Sequence, residues 1–506
     1  MLKISKELFT AWNDAKLLYC HWKSNEHLLP GLDGETDLDV LLSRDDRREG
    51  ESILRRLDFL QVRSQFGSRY PDVDDWIGFD KETGTLIHIH LHYWLVTGHK
   101  GMKEYSLHWT DMALRTRILN DDYGVYTMEP NLEIVTLYTR IGLKADFKNL
   151  IRCRRGTFHF SKDTQREIDW LKARIDNEKV CQLLETFYGK FSSTVFSIME
   201  KKTIKAEDYL LLRKITEHQF KGNSRVKYFM RIREFLFYVY QRWGKLILLK
   251  FSPIIIKKVP ISGKGISIAF IGQDGCGKST VTLEVEKWFN WKIEARRFYL
   301  GSGDHYNGLL KRIISKGVKR KNEKTDIVGK SAFNKHNKSN NKKKKNLRNF
   351  VAAFIVSQNH LNVARRAYKV VTLSNKYCKK GGIPLFDRFP QIQFAGIYDG
   401  PKIAAYFQQT GLDFWLLRRM AKKEEKYIKA IQNYRPQLVF KLMLPPEESV
   451  RRKPFEDLNA VTQKHEITKQ LQFINSKVYV VDATQDYNCE LIFIKNKIWE
   501  EILKAQ

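Results

Sequence analysis

The sequence predicts an α/β protein. A P-loop parallel sheet with flanking helices should fill the C-terminal half, preceded by an α+β domain and a helical extension. Three observations predict this. The stretch "ISIAFIGQDGCGKST", Ile266 to Thr280, joins an apolar β-branched run to a helical period through a glycine-rich turn. Strand and helix signals then alternate to the C-terminus, as in a parallel sheet covered by helices. Near the N-terminus an Asp-x-Asp strand precedes a β-hairpin.

The first element is the clearest. "ISIAFI" has strand length and composition, and "VTLEVEKWF" after it has helical periodicity. Between them Gly272 to Ser279 reads G-x-x-x-x-G-K-S, and strand, loop and helix are the context a P-loop needs. The glycines let backbone N–H groups turn inward, and with the helix N-terminus those groups form an anion site. Gly272, Asp274, Gly275, Gly277, Lys278, Ser279 and Thr280 are the expected ATP-binding residues. Lys278 should reach the β- and γ-phosphates, and the Ser279 hydroxyl should ligate Mg²⁺. A chance match in a tight strand–helix turn is the plain alternative, and the correct flanks on both sides argue against it.

Length and composition bound the rest. A chain of 506 residues with 42% hydrophobic residues has material for two to four domains. The formal charge is +32. Lys311 to Arg348 alone holds 15 Lys and Arg against 2 Asp and Glu. This segment is poor in apolar residues and is expected to be a mobile, solvated insertion. An anionic-substrate lid, a nucleic-acid contact and a membrane-surface contact are the sharper readings. No aromatic–basic recognition motif supports a nucleic-acid partner. Six cysteines are scattered with no CxxC pair, which fits a reducing cytosol and neither a zinc ribbon nor a disulfide framework. No signal peptide is expected at the N-terminus. The most apolar helix candidate, Glu234 to Phe251, is interrupted by Arg242 and Lys245 and should not span a bilayer. Domain limits are expected at 1–130, 131–255 and 256–506, the last two divided by the Pro- and Gly-containing "SPIIIKKVPISGKG".

Two further C-terminal signals carry chemistry. In "GGIPLFDRFP", Gly381 to Pro390, a short strand ends in Asp387 and Arg388. Ligands of open parallel sheets sit at the carboxyl ends of strands. Asp387 is therefore placed to hold Mg²⁺-bound water or orient an acceptor hydroxyl, and Arg388 to clamp a phosphate. A surface Asp–Arg pair is the plain alternative. In "RPQLVFKLMLPPEESVRRKP", Arg435 to Pro454, a strand from Leu438 to Leu444 meets two prolines, a helix start, then Arg451, Arg452 and Lys453. Those cations can close over a transferring phosphoryl group. The last strand, "KVYVVDATQ", ends at Asp482-Ala483.

Together these motifs, from about Lys264 to Ile502, resemble the thymidylate kinase family of nucleoside-monophosphate kinases. "GQDGCGKST" resembles its acidic P-loop, "DRF" its Asp-Arg-aromatic motif, "RPQLVFKLMLPPEESVRRK" its strand and lid arginines, and "VYVVDA" its last strand. The resemblance implies ATP and Mg²⁺ at Lys278 and Ser279 and an acceptor sugar facing Asp274. It also implies an acceptor positioned by Asp387 and Arg388, with Arg451 and Arg452 as lid residues. The family's Arg-Glu-Pro-Gly-Gly stretch is replaced by "FYLGSGDHY", Phe298 to Tyr306, and its acceptor-side Arg is matched only loosely by Arg365 or Arg366. Thymidylate is therefore not the expected acceptor.

In the N-terminal half, "HWKSNEHLLPGLDGETDLDVLL", His21 to Leu42, places Asp37 and Asp39 on one side of a strand, a pair suited to Mg²⁺. "DDWIGFDKETGTLIHIHLHYWL" reads as a hairpin turning at Asp80 to Gly84, with His88, His90 and His92 on one face. This resembles the nucleotidyltransferase fold. Lys23-Ser24 stands where that fold has Gly-Ser, and His90 or His92 where it has a third carboxylate. The alternating histidines are also compatible with zinc, or with a sheet face of hydrogen-bonded imidazoles. The combined expectation is a cytoplasmic P-loop kinase that transfers a phosphoryl group from ATP to a small nucleotide or sugar-like acceptor. The alternatives are a nucleotidyltransferase acting through Asp37 and Asp39 with a regulatory P-loop half, or an ATP-binding switch without acceptor.

Overall fold

The structure is a computed structural model that describes residues 1–62, 70, 72–98, 103–144, 147–224, 236, 240, 255–300, 342–397, 400–410 and 414–505. The expected apolar helix at 234–251 lies outside these residues except for Leu236 and Tyr240, and the Lys-rich segment lies outside them up to residue 341. From Lys342 the chain is helical, in a 37-residue helix that ends at Cys378. The expected insertion therefore includes the first turns of a helix. Among the described residues no helix is long and apolar enough to cross a membrane.

The N-terminal half is built on a mixed sheet. Its strands are β1 (Tyr19–His21), β2 (Leu38–Leu42), β3 (Leu60–Val62), β4 (Val73–Asp80), β5 (Thr85–His92), β8 (Ile118–Asn120) and β9 (Val125–Thr127), and a separate pair is formed by β6 (Val96–Thr97) and β7 (Tyr105–Ser106). The seven strands run in the order β3-β4-β5-β2-β1-β9-β8. The β4–β5 hairpin closes where the Gly84 N–H donates to the Asp80 carbonyl at 2.8 Å, and Asp80 caps the turn by accepting from the N–H groups of Glu82 and Thr83.

Strand alternation assigns the two faces. Leu38, Val40, Trp76, Ile87, Ile89 and Leu91 pack with Leu8, Phe9 and Trp12 of the helix Lys3–Asp14. The opposite face is shared. At one end Leu60, Val62, Ile77, Phe79 and Leu86 join the core of the P-loop half. Toward the other end Cys20, Trp22 and Leu41 join the core of helices that run from Pro130 to Gln219.

The C-terminal half carries five parallel strands, β10 (Ile268–Ile271), β11 (Ala295–Arg297), β12 (Ile383–Phe386), β13 (Leu438–Met443) and β14 (Lys477–Asp482), in the order β11-β12-β10-β13-β14. β10 begins two residues later than the apolar run suggests. Its four residues are all buried, as expected for a central parallel strand. Chain order reverses around β10, so the crevice at the carboxyl ends of β10, β12 and β13 is the topological switch point where such sheets hold ligands.

The two halves share side chains. Phe79 of β4 lies 5.6 Å from Trp288 and 5.7 Å from Trp499, measured between ring centroids. The Trp499 indole donates to the Asp58 carbonyl at 3.3 Å, Lys495 to Gly84 at 3.2 Å and Asn496 to Lys81 at 3.1 Å. Because Trp499 is 1% exposed and lies in the core that the two halves share, Trp499→Ala should cost about 3–5 kcal/mol and lower the melting of both halves in calorimetry. Loss confined to the P-loop half would show that the halves melt independently.

Candidate functional site

The P-loop lies between the end of β10 and the helix Lys278–Phe289. Gly275 and Gly277 have φ of +89° and +94°, a region side-chain-bearing residues avoid. A Cβ on Gly275 would also stand 2.8 Å from the Ser449 carbonyl, so the loop packs closely against the helix Pro446–Arg452. Gln273 is fully buried and ties the same two segments, donating to the Leu444 carbonyl and, at 3.0 Å, to the Ser449 hydroxyl. Lys278 is 7% exposed, and its ammonium donates to the carbonyls of Gly272 at 2.8 Å and Gln273 at 2.7 Å. Thr280 is exposed in the first turn of the helix.

Parallel pairing of β10 with β12 brings the loop beside the end of the Asp-Arg strand. The Ser279 hydroxyl donates to Asp387 Oδ2 at 2.9 Å. The other oxygen, Asp387 Oδ1, is buried and has no hydrogen-bond partner among the described residues. A buried bare carboxylate oxygen costs free energy, and here it lies beside a hydroxyl. That donor set, hard oxygens at a phosphate loop, fits Mg²⁺.

Beyond this pair is a cavity of about 270 Å³. Asp274, Lys278, Arg388, Lys402, Gln463 and Lys464 supply its polar lining, and Ile271, Phe389, Ile397 and Ala460 its apolar part. Arg388 pairs with Asp274 at 3.1 Å, and Lys464 pairs with the other Asp274 oxygen. Burial pushes the Asp274 carboxyl up, but Lys464, Lys278 and Arg388 outweigh it and hold the group below the usual range. Four cations against one carboxylate make this an anion-seeking cavity. Lys402 and Lys464 belong to no motif and were not singled out from the sequence. Their positions depend on how the helix Leu458–Gln470 and the segment before Ile403 fold over the sheet.

The expected lid arginines are placed differently. Arg451 is 79% exposed and bonds Glu448 at 2.8 Å, while Arg452 donates to the Ala483 carbonyl at 3.3 Å. Glu448 lies one turn back on the same helix, where such pairs form readily. Neither arginine lines the cavity. Arg365 and Arg366 are exposed on the long helix Lys342–Cys378 and do not line it either.

The N-terminal candidates also converge. Asp37 directly precedes β2 and Asp39 lies within it. Asp39 faces His90 across the parallel β2–β5 pair. Its Oδ1 lies 2.7 Å from the Lys23 ammonium and 3.2 Å from both His90 and His92. Burial opposes ionisation of Asp39, but Lys23 and the two histidines hold its carboxyl well below the usual range. Asp37 pairs with His88 at 2.9 Å and with Lys292 from the P-loop half. A further carboxylate, absent from the expected set, stands beside these histidines. Asp75 on β4 pairs in register with His90, and its Oδ1 lies 3.3–3.4 Å from His90 and His88. Counting back along the hairpin from its Asp80–Gly84 turn would have found it.

Beside Lys23, Ser24 holds φ of +57°, and both its N–H and its hydroxyl donate to Glu167. Asn25 donates twice to Glu133. Glu133 is 1% exposed, and burial pushes its carboxyl up to about 8 despite those bonds.

The chain matches no protein-family model. It is 26% identical over 221 residues to the protein named uncharacterized ATP-binding protein YghS of Escherichia coli K12, covering 43% of this chain and 85% of that one. It is 26% identical over 224 residues to the uncharacterized ATP-binding protein YghR of the same strain, covering 44% and 82%. Among solved structures, deoxyadenosine kinase from M. mycoides with bound dATP aligns over 46% of this chain and 98% of its own, at 14% identity and a TM-score of 0.27, a value too low to establish a shared fold.

Glu133 yields a pH prediction. Its carboxyl is protonated in the folded chain up to about 8 but only up to about 4.3 when unfolded. Its contribution to stability is therefore complete below the unfolded value and lost as pH rises through the folded one. Glu133→Gln should flatten the decline in stability between about pH 5 and 8 by up to about 1.4 kcal/mol per pH unit, as read by urea unfolding. An unchanged slope would mean that Glu133 is ionised in the fold.

Proposed function

We propose that this chain is a Mg²⁺-ATP-dependent phosphotransferase acting on a small anionic acceptor, with residues 256–506 as the kinase domain. The observation that carries the reading is the Ser279–Asp387 contact at 2.9 Å, set between a P-loop and an anion-seeking cavity of about 270 Å³. The names of the Escherichia coli relatives support ATP as the nucleotide.

Ser279 and Asp387 are the residues that would hold Mg²⁺, whose charge would offset that of the phosphates. The P-loop N–H groups and Lys278 bind the phosphates, and Lys278 exchanges its bonds to Gly272 and Gln273 for them. Arg388, Lys402 and Lys464 bind the acceptor's anionic group, while Phe389 and Ile397 offer apolar contact to its ring. Asp274 orients an acceptor hydroxyl. An acceptor oxygen forms the new bond to the γ-phosphorus, the bond to the bridging oxygen breaks, and ADP leaves. Arg451 and Arg452 act as lid residues in this scheme by leaving Glu448 and the Ala483 carbonyl. Residues 1–130 are proposed as a nucleotidyltransferase-like domain, and 131–255 as its helical extension.

The test incubates purified full chain with Mg²⁺-ATP and pooled nucleotides, sugars and sugar phosphates, and reads products heavier by one phosphoryl group. ADP release without any phosphorylated acceptor would favour an ATP-driven switch. Lys278→Ala should abolish transfer and weaken ATP binding. Arg388→Ala and Lys464→Ala should each raise the acceptor KM or lower kcat at least about tenfold, roughly the loss of one charge-assisted pair, while ATP affinity is spared. Loss of ATP affinity alone in those two variants would contradict their assignment to the acceptor.

A further inference from the structure

On the shared face of the N-terminal sheet, carboxylates and imidazoles alternate. His88 lies between Asp37 at 2.9 Å and Asp75 at 3.4 Å, His90 between Asp39 at 3.2 Å and Asp75 at 3.3 Å, and His92 at 3.2 Å from Asp39. The row occupies the seam where the P-loop half and the helical extension meet the sheet. Trp291, next to Lys292, stands 6.4 Å from the His88 ring, and Trp22 stands 5.1 Å from His92.

We infer that Asp37, His88 and His90 form a binding site for a divalent transition-metal ion, zinc being the best match, and that Lys292 competes with the ion for Asp37. One donor atom from each of the three residues lies within 4.8 Å of the others. Zinc with bonds of about 2.1 Å brings tetrahedral donors to about 3.4 Å, a closure that side-chain rotation supplies. His88 is 4% exposed, and its Nε2 has no hydrogen-bond partner among the described residues, although Asp75 stands near it. With His88 Nδ1 on the metal its Nε2 keeps Asp75, and whichever nitrogen of His90 goes to the metal the other keeps Asp39 or Asp75. That is the arrangement that orients metal-binding histidines and raises their basicity. Two imidazoles and one carboxylate suit zinc and its first-row neighbours, whereas Mg²⁺ and Ca²⁺ prefer oxygen donors throughout. Asp39 is outside the trio, whose mutually close donor atoms come from Asp37, His88 and His90.

Lys292 gives the site its link to the rest of the chain. Its ammonium pairs with Asp37, and its backbone follows the P-loop helix Lys278–Phe289. A metal on Asp37 displaces that ammonium and so loosens one polar tie between the halves. The site lies outside the P-loop cavity, and its test is independent of the kinase reading.

The test uses the untagged full chain, stripped with chelator and titrated with Co²⁺ as a visible stand-in for zinc, then with Zn²⁺ in competition. One equivalent per chain with a tetrahedral ligand-field band is expected. His88→Gln and His90→Gln should each weaken binding at least about 100-fold, and Asp75→Asn about 10–100-fold. Lys292→Met should tighten it, an outcome that damage to the fold cannot imitate. Absence of a stoichiometric band in both the unaltered chain and Lys292→Met would overturn the proposal. So would binding unchanged by both histidine substitutions.

Discussion

The hydrogen bond from Ser279 to Asp387 marks the point on which the candidate site of the C-terminal half converges. It exists because β10 and β12 are parallel neighbours, so that two residues 108 positions apart meet at the same end of the sheet. The positive-φ glycines turn the loop over that end, and Gln273 anchors it to the start of the helix that carries Arg451 and Arg452. The cavity beside the pair follows from the same crevice, with Arg388 extending from the strand that supplies Asp387. Its lining carries four cations and one carboxylate beside an apolar patch.

The N-terminal sheet is organised by a different constraint. One face is filled by the N-terminal domain's own helices. The other is divided between two bodies, and the dividing line is polar. Charged groups survive at such a seam only when paired, and here each histidine faces one or two carboxylates while Lys23 and Lys292 complete the set. The seam is therefore also the place where the P-loop half is in electrostatic contact with the N-terminal domain. The apolar side of the same junction, through Phe79, Trp288 and Trp499, makes the two halves a packed unit rather than beads on a linker.

Much of this was legible because it is local. The phosphate loop announces itself by glycine spacing and flanks, the Asp-Arg pair by its place after a strand, and the histidine row by period-two alternation. Asp75 was legible too, through hairpin register, but needed the turn to be used as a ruler. Lys402, Lys464 and Lys292 were not legible. Each reaches its place through tertiary packing of segments far apart in the chain, and a lysine on a helix or loop carries no pattern that separates it from a solvated one. Arg451 and Arg452 show the converse: a motif singles them out, yet their contacts are with Glu448 on their own helix and, for Arg452, the Ala483 carbonyl.

The most direct measurement is calorimetric titration of ATP into the full chain with and without Mg²⁺, repeated with Asp387→Asn. If the Ser279–Asp387 pair holds the metal of metal–ATP, Mg²⁺ should tighten ATP binding at least about tenfold, equivalent to about 1.4 kcal/mol. The substitution should remove that gain while leaving metal-free binding intact. ATP affinity that ignores Mg²⁺, or a Mg²⁺ gain that survives Asp387→Asn, would contradict the role given to this pair.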